Sequence, residues 1–209
     1  MARPVAQDHD DKRQAILAAA ARLFADEGYG RASMAQVAEA VGISKANIYH
    51  YYSSKDALLF DMLDSHLRML RDRICGLTFE SEDPGDQLRA IFTEVLLAYQ
   101  GADAEHDVLL SAMQALPAAQ QEVLRQYQRE FIAVGRDRLA ALAAPEIAED
   151  RDALRALTMS VFGMLNWHYK WSSRADEATR RGHAGMMADL VIGGVSGLGS
   201  ASQQSTANG

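Results

Sequence analysis

Apolar residues recur every three or four positions along most of the chain, and no stretch alternates apolar and polar residues as a half-buried strand does. The first pattern predicts a long helix with one buried face, capped at its start by Asp10 or Asp11 and ended by Gly28 and Gly30. Its buried positions are Ile16, Leu17, Ala20, Leu23 and Phe24. Residues 1–9 lack this periodicity, so we expect a flexible arm there.

Two short helices are predicted next, separated by a tight turn. Gly42 suits a turn that requires positive φ, and Ser33 and Ser44 can cap the two helices. The inward residues are Met34, Val37, Ala38 and Val41 in the first helix, and Ile48 and Tyr52 in the second. The outward side of the second helix then carries Lys45, Ala46, Asn47, Tyr49 and His50. This spacing predicts a helix-turn-helix, and the alternative is an ordinary helical hairpin.

The remaining pattern is also helical. Ser53 followed by Asp56 resembles a capping box, which predicts a long helix from residue 54 to Ile74. Further helices are predicted at 86–100, 104–116, 118–143, 149–171 and 176–194, with breaks at Gly101, Pro117 and Pro145. The predicted fold class is therefore all-α. Residues 197–209 are small and polar, and we expect them to form a disordered tail.

The net charge of −7 is unevenly distributed. Residues 1–55 hold seven Lys or Arg and six Asp or Glu, whereas residues 56–209 hold fourteen and twenty-two. Phosphate contact needs only a local basic face, so this balance does not exclude nucleic acid.

No apolar run reaches the roughly 18 residues of a membrane helix, and the N-terminus lacks the apolar core of a signal peptide. The single Cys75 is expected to be buried and cannot form an internal disulfide, so we expect a cytoplasmic protein without a membrane partner.

The run from Gly42 to Leu58, Gly-Ile-Ser-Lys-Ala-Asn-Ile-Tyr-His-Tyr-Tyr-Ser-Ser-Lys-Asp-Ala-Leu, closely resembles the recognition helix and following helix start of TetR-type transcriptional repressors. The resemblance implies a helix-turn-helix DNA-binding domain at 1–55 and a domain for ligand binding and dimerisation at 56–196. The residues expected to face base edges are Lys45, Ala46, Asn47, Tyr49 and His50, and those expected to hold phosphates are Ser33, Ser44, Tyr51 and Lys55. It further implies a homodimer through 149–171 and 176–194 that binds a palindromic double-stranded DNA operator and is released by a small apolar effector.

Both tryptophans of the chain, Trp167 and Trp171, lie four residues apart on one helix, which suits a ligand wall, a dimer seam or plain core. The pattern from Asn166 to Trp171 resembles the subgroup of the family that responds to acyl-CoA thioesters. The resemblance to the family implies an effector pocket after residue 56, with candidate lining residues Phe60, Met69, Met113, Tyr127, Phe131, Phe162, Asn166 and Trp167. Three arginines, Arg68, Arg71 and Arg73, are candidates for a CoA phosphate, and a solvated helix face is the alternative.

No glycine loop for phosphates, nucleophile elbow or paired-cysteine metal site appears in the sequence. We therefore predict no cofactor, no metal and no enzyme activity. The rival hypothesis is a small-molecule-binding helical protein or enzyme without operator function. Whether a DNA-binding regulator would repress or activate stays open.

Overall fold

The computed structural model describes the backbone of residues 3–172, 174–195 and 197–198, and the side chains within these ranges from residue 9 onward. These residues form ten α-helices, one short 3-10 turn and no strand, which confirms the all-α prediction. The helices are α1 (Arg3–Glu27), α2 (Met34–Val41), α3 (Lys45–Tyr51), α4 (Lys55–Cys75), α5 (Pro84–Ala98), α6 (Asp103–Ala112), α7 (Ala118–Leu142), α8 (Pro145–Ala148), α9 (Arg151–Ser172) and α10 (Glu177–Val195), and the 3-10 turn is Met113–Ala115. The predicted tail lies outside the described residues from 199 onward.

The start of α1 corrects a sequence prediction. The helix begins at Arg3, so neither Asp10 nor Asp11 caps it, and residues 3–9 continue the helix instead of preceding it. Pro4 lies in the first turn, where its missing N–H costs no intrahelical hydrogen bond and its fixed φ suits a helix.

Smaller corrections concern the later helices. The Oγ of Ser54 accepts the N–H of Ala57 at 3.0 Å, so α4 is capped by Ser54 and not by Ser53. The predicted break at Pro145 is present, because α7 ends at Leu142, but Pro145 also begins a short helix, α8, that the sequence did not predict. Cys75 is exposed at the end of α4, so the prediction that it is buried is wrong.

The chain packs as two compact units. The first unit comprises Met1–Met69 and Gly101–Gln126, and the second comprises Leu70–Gln100 and Tyr127–Gly209. Helices α4 and α7 each run from one unit into the other as continuous helices. The functional division at residue 55 remains a prediction.

The core of the first unit is built on the apolar face that the sequence predicted for α1. Ile16 and Phe24 of α1 are almost fully buried, as are Val37 of α2, Ile48 of α3 and Leu58 of α4. Burying each such side chain stabilises the fold by about 1.5–3 kcal/mol, so α1 is the support on which the shorter helices are held.

A polar contact joins α1, α4 and the end of α3. Arg13 Nε donates to Asp61 Oδ2 at 2.9 Å, and the hydroxyl of Tyr52 donates to the same oxygen at 2.6 Å. Burial and the neighbouring Asp61 raise the pKa of Tyr52, so the phenol stays protonated and remains a donor. This contact holds the side chain of Tyr52, the C-terminal capping residue of α3, against Asp61 of α4.

In the second unit, α10 packs closely on α5 because its inward residues are small. Ala184 and Ala188 are fully buried, and the guanidinium of Arg89 in α5 reaches the carbonyl of Gly185 at 3.1 Å and the carboxylate of Asp189 at 2.6 Å. Arg180 of α10 is also fully buried. In the second unit, α10 therefore has one inward face and one outward face.

Candidate DNA interface and ligand-binding region

The turn between α2 and α3 has the geometry that the sequence predicted. Ser33 and Gln36 form a capping box at the start of α2, and Ser44 Oγ accepts the N–H of Asn47 at 3.1 Å to cap α3. Gly42 ends α2 in the left-handed region with φ of 70°, which favours glycine over any residue with a side chain. These caps fix the entry of both helices, so the helix-turn-helix is specified locally.

Helix α3 is held by one face and exposed on the other. Ile48 is fully buried and Tyr52, directly after the helix, is 7% exposed. The five residues predicted to face base edges are all exposed: Lys45, Ala46, Asn47, Tyr49 and His50. Their side chains offer donors, acceptors and one aromatic ring, the groups that read base edges in a major groove.

The residues predicted to hold phosphates differ in their surroundings. Ser33 and Ser44 are exposed at helix N-termini, where backbone N–H groups favour an anion. Tyr51 is half-buried, and its ring stacks on that of His9 with 4.9 Å between centroids. The sequence interpretation missed His9 because it placed this residue in an arm and not on α1.

Lys55 is bound within the protein. Its ammonium lies 4.4 Å from the centre of the Tyr29 ring and donates to three backbone carbonyls of the loop before α2. The distances are 2.7 Å to Tyr29, 2.9 Å to Ala32 and 3.4 Å to Gly30. A lysine has three donors, so a phosphate contact would require the exchange of one of these carbonyls.

Three residues predicted to line an effector pocket belong to the first unit. Met69 lines a cavity of about 320 Å³ beside α1 and α6, together with His66 and Glu105. Burial and the nearby His106 lower the pKa of His66 to about 3, so its imidazole is neutral. Phe60 and Met113 are half-buried and do not line this cavity.

The other five predicted ligand residues belong to the second unit and do not form one lining. Phe131 and Phe162 are buried against each other, with 6.0 Å between ring centroids. Tyr127 lies under the guanidinium of Arg71, 4.9 Å from the ring centre. Asn166 accepts the hydroxyl hydrogen of a buried tyrosine, Tyr99, at 2.9 Å.

The segment from Asn166 to Trp171 has buried side chains at His168 and Tyr169 and exposed ones on either side of this pair. Trp167 and Trp171 are 60% and 57% exposed, whereas His168 is fully buried and its Nε2 lies 2.9 Å from Nδ1 of His183. Burial, His183 and Arg180 lower the pKa of His168 to about 4, which keeps the ring neutral near pH 7. The tryptophans therefore belong to an outer surface of the second unit.

That outer surface was only partly recognised from the sequence. We define the apolar face of α9 and α10 as Met159, Trp167, Trp171, Met186 and Leu190, each at least 52% exposed. These five are the majority of the nine exposed large apolar side chains among the described residues. The spacing of four residues between Met186 and Leu190 would have revealed these two as one exposed side of α10 if the inward face of α10 had been known.

The arginines predicted to receive a CoA phosphate are each engaged with carboxylates. Arg68 pairs with Asp64, and Arg73 Nε donates to Glu94 at 2.5 Å. Arg71 Nε donates to Asp72 at 2.6 Å, and its Nη1 donates to Glu130 at 3.3 Å. A phosphate would therefore compete with carboxylates at all three arginines.

Helices α2 and α3 form a capped helix-turn-helix, and α3 exposes a polar surface. These features are those of the helix-turn-helix class of DNA-binding proteins. A family model described as bacterial regulatory proteins of the tetR family matches residues 16–62, and one described as the tetracyclin repressor-like C-terminal domain matches residues 81–195. The chain belongs to the TetR family, as its resemblance in the recognition helix implied.

Individual relatives agree with this assignment. The HTH-type transcriptional regulator AcrR of Shigella flexneri is 30% identical over 100 residues, which are 46% of this chain and 44% of AcrR. The matched part therefore spans less than half of that relative. A TetR-family transcriptional regulator from Bordetella parapertussis 12822 has 35% identity and a TM-score of 0.79, covering 86% of this chain and 93% of that one.

A further solved structure is that of AibR in complex with isovaleryl coenzyme A and operator DNA. It has 24% identity and a TM-score of 0.68, and the match covers 84% of this chain and 97% of AibR. At this identity the likeness shows the fold alone. Among the described residues, no helix combines the length and apolar character needed to cross a bilayer.

We predict that replacing Lys55 with Met lowers the free energy of unfolding by about 1–3 kcal/mol, because two part-buried carbonyls and one exposed carbonyl lose a charged donor. Operator affinity should fall equally for all DNA sequences, with the salt dependence of binding unchanged. Denaturant titration and DNA binding at several salt concentrations measure the two effects.

The matched control is Lys45→Met, which removes an exposed lysine from α3 and should leave stability within about 0.5 kcal/mol of the wild type. If Lys55→Met instead leaves stability unchanged and reduces the salt slope by about 0.9, Lys55 is a phosphate contact as the sequence predicted.

Proposed function

We propose that the chain is a homodimeric transcriptional regulator that binds a palindromic operator through α3 and is released by a small-molecule effector, an acyl-CoA thioester. The observation that carries the DNA-binding part is the exposed face of α3, supported beneath by Ile48 and Tyr52. Family membership supports the same function. In this proposal the protein regulates by binding DNA and an effector, and it catalyses no reaction.

Within this proposal, the side chains that contact base edges are those of Lys45, Asn47, Tyr49 and His50. The small side chain of Ala46 allows α3 to approach the groove closely. Ser33, Ser44 and Tyr51 are the proposed phosphate contacts, and Lys55 acts mainly by holding the loop before α2. Phosphate contacts orient the helix and base contacts supply specificity.

Dimerisation is proposed through the apolar face of α9 and α10. A single recognition helix reads few base pairs, and two-fold pairing lets two helices read the half-sites of a palindrome. Exposed tryptophan, methionine and leucine side chains on neighbouring helices are typical of the centre of such an interface. Val191 follows Leu190 in the sequence but is only 6% exposed, so it belongs to the core and not to the apolar face.

The effector is proposed from two lines of support. The segment from Asn166 to Trp171 resembles the subgroup that responds to acyl-CoA thioesters, and AibR, which shares the fold, was solved with isovaleryl coenzyme A and operator DNA. An effector releases DNA only if it binds better to the conformation that does not fit the operator. Helix α4 is continuous from Lys55 to Cys75 and offers a path for this coupling.

Tyr49→Ala should weaken operator binding by about 1–3 kcal/mol and relax the preference for one base pair, because one base contact is lost. The measurement is a DNA-shift titration with the upstream region of the protein's own transcription unit and with single-base variants of the bound site. Thr93→Ala, far from α3 in sequence, is the control for a neutral change. Equal weakening at every base variant would remove Tyr49 from the reading surface.

The double substitution Met186→Asp and Leu190→Asp should yield a monomer that keeps its helical content and loses operator binding. Both side chains are exposed, 69% and 66%, so charges there do not disturb the core. Analytical ultracentrifugation and circular dichroism measure the two properties. The control is Leu110→Asp with Val123→Asp, two exposed apolar residues of the first unit. A stable dimer of the first variant would place the interface elsewhere.

Thioesters should release the wild-type protein from its operator, whereas free CoA and free acids should not. A panel of phenylacetyl-CoA, octanoyl-CoA and palmitoyl-CoA, with CoA and the three acids as controls, is added to the DNA complex and release is followed by fluorescence anisotropy. Release by acids or unrelated lipophiles without release by thioesters rejects this effector class and leaves the regulator function intact.

A further inference from the structure

A cleft with a volume of about 720 Å³ lies within the second unit, at helices α7, α8 and α9. We name it the arginine cleft. Its lining residues are Arg129, Ile132, Ala133, Arg136, Ala148, Glu149, Arg151, Asp152, Leu154, Arg155, Thr158 and Met159. None of the residues that the sequence proposed for the effector is among them. The volume lies within the range of about 300–1,000 Å³ typical of small-molecule sites.

The charge of the arginine cleft favours an anion. Four arginines line it against two carboxylates, Glu149 and Asp152. The side chains of Arg151 and Arg155 make no hydrogen bond or ion pair with any residue in the described part of the chain. Arg136 pairs with its exposed neighbour Asp137 at 2.8 Å, a surface contact that contributes little and is easily exchanged.

The rest of the cleft is apolar. Ile132, Ala133, Ala148 and Leu154 contribute aliphatic surface, and Met159 extends it toward the apolar face of α9 and α10. A guanidinium presents a planar fork of donors that matches a phosphate in a bidentate contact. An occupant that satisfies both parts of the lining carries a phosphate group and an apolar chain.

We propose that the arginine cleft binds a phosphate-bearing amphipathic molecule, with Arg151 and Arg155 holding the phosphate and the aliphatic residues of α7 and α9 holding the chain. The inference rests on the proposed effector function and moves the phosphate contact away from α4, where Arg68, Arg71 and Arg73 are already paired with carboxylates. An acyl-CoA thioester and a lysophospholipid share this chemistry.

The test is calorimetric titration of the full-length protein in the absence of DNA. Octanoyl-CoA, octyl phosphate and lysophosphatidic acid are compared with CoA and octanoate. Octanoyl-CoA is expected to bind more tightly than either CoA or octanoate, because each of these lacks one half of the required chemistry. Tighter binding of lysophosphatidic acid than of octanoyl-CoA would identify a lipid as the source of the phosphate.

Two variants locate the site. Arg151→Glu with Arg155→Glu should weaken binding of octanoyl-CoA at least about 30-fold, because two charge-assisted contacts become repulsions. Ala133→Phe fills the apolar part without a change of charge and should weaken octanoyl-CoA more than CoA. The matched control is Arg174→Glu with Arg181→Glu, which makes the same change in net charge at exposed positions outside the cleft.

Each variant is checked for helical content and for dimerisation, because Met159 adjoins the apolar face. If both cleft variants fold and bind octanoyl-CoA as the control does, the inference is wrong, while release of wild-type protein from the operator still tests the proposed function separately. Absence of binding by every phosphate-bearing compound to the wild type also overturns it. Loss of the dimer in the cleft variants with unchanged affinity for octanoyl-CoA would assign the arginines to the subunit interface instead.

Discussion

The position of α3 depends on a small buried contact beneath it. Ile48 packs into the first unit with no exposed surface, and Tyr52, directly after the helix, donates a hydrogen bond to Asp61, which also binds Arg13. These contacts use the inward residues of α3 completely. The five proposed base-facing residues do not contribute to this packing, so their side chains can serve DNA recognition without destabilising the core.

The same division of faces governs the second unit. The inward face of α10 is small and apolar, so α10 can approach α5, while Met186 and Leu190 are left outside. On α9, His168 and Tyr169 are buried and the tryptophans are exposed. Large exposed apolar side chains are costly for a monomer and suit a surface that a second copy covers. The proposed dimer follows from this arrangement.

Charge pairing distinguishes the arginines of the chain from one another. Those on α4 are held by carboxylates, whereas Arg151 and Arg155 of α9 are not paired with any described residue. A carboxylate partner already balances the charge of a paired arginine, so the unpaired ones attract a phosphate more strongly and are the better candidates for an anionic ligand. The proposed effector site in the arginine cleft therefore lies on other helices than α4, along which the coupling to α3 is proposed.

The sequence by itself determined the features that depend on neighbouring residues. Ser33 and Ser44 as caps, Gly42 as a turn with positive φ and the inward side of α3 were all predicted, because each depends on contacts within a few residues. The family membership followed from the same stretch. Tertiary structure decided the partners of Lys55 and Asn166 and the contact of Arg71 with Glu130, which join residues 23 or more positions apart in sequence. Periodicity shows which side of a helix is apolar, but it does not show which charged or polar group another helix brings opposite. The arginine cleft was missed for this reason, since its lining combines three helices, α7, α8 and α9, that are unremarkable when read separately.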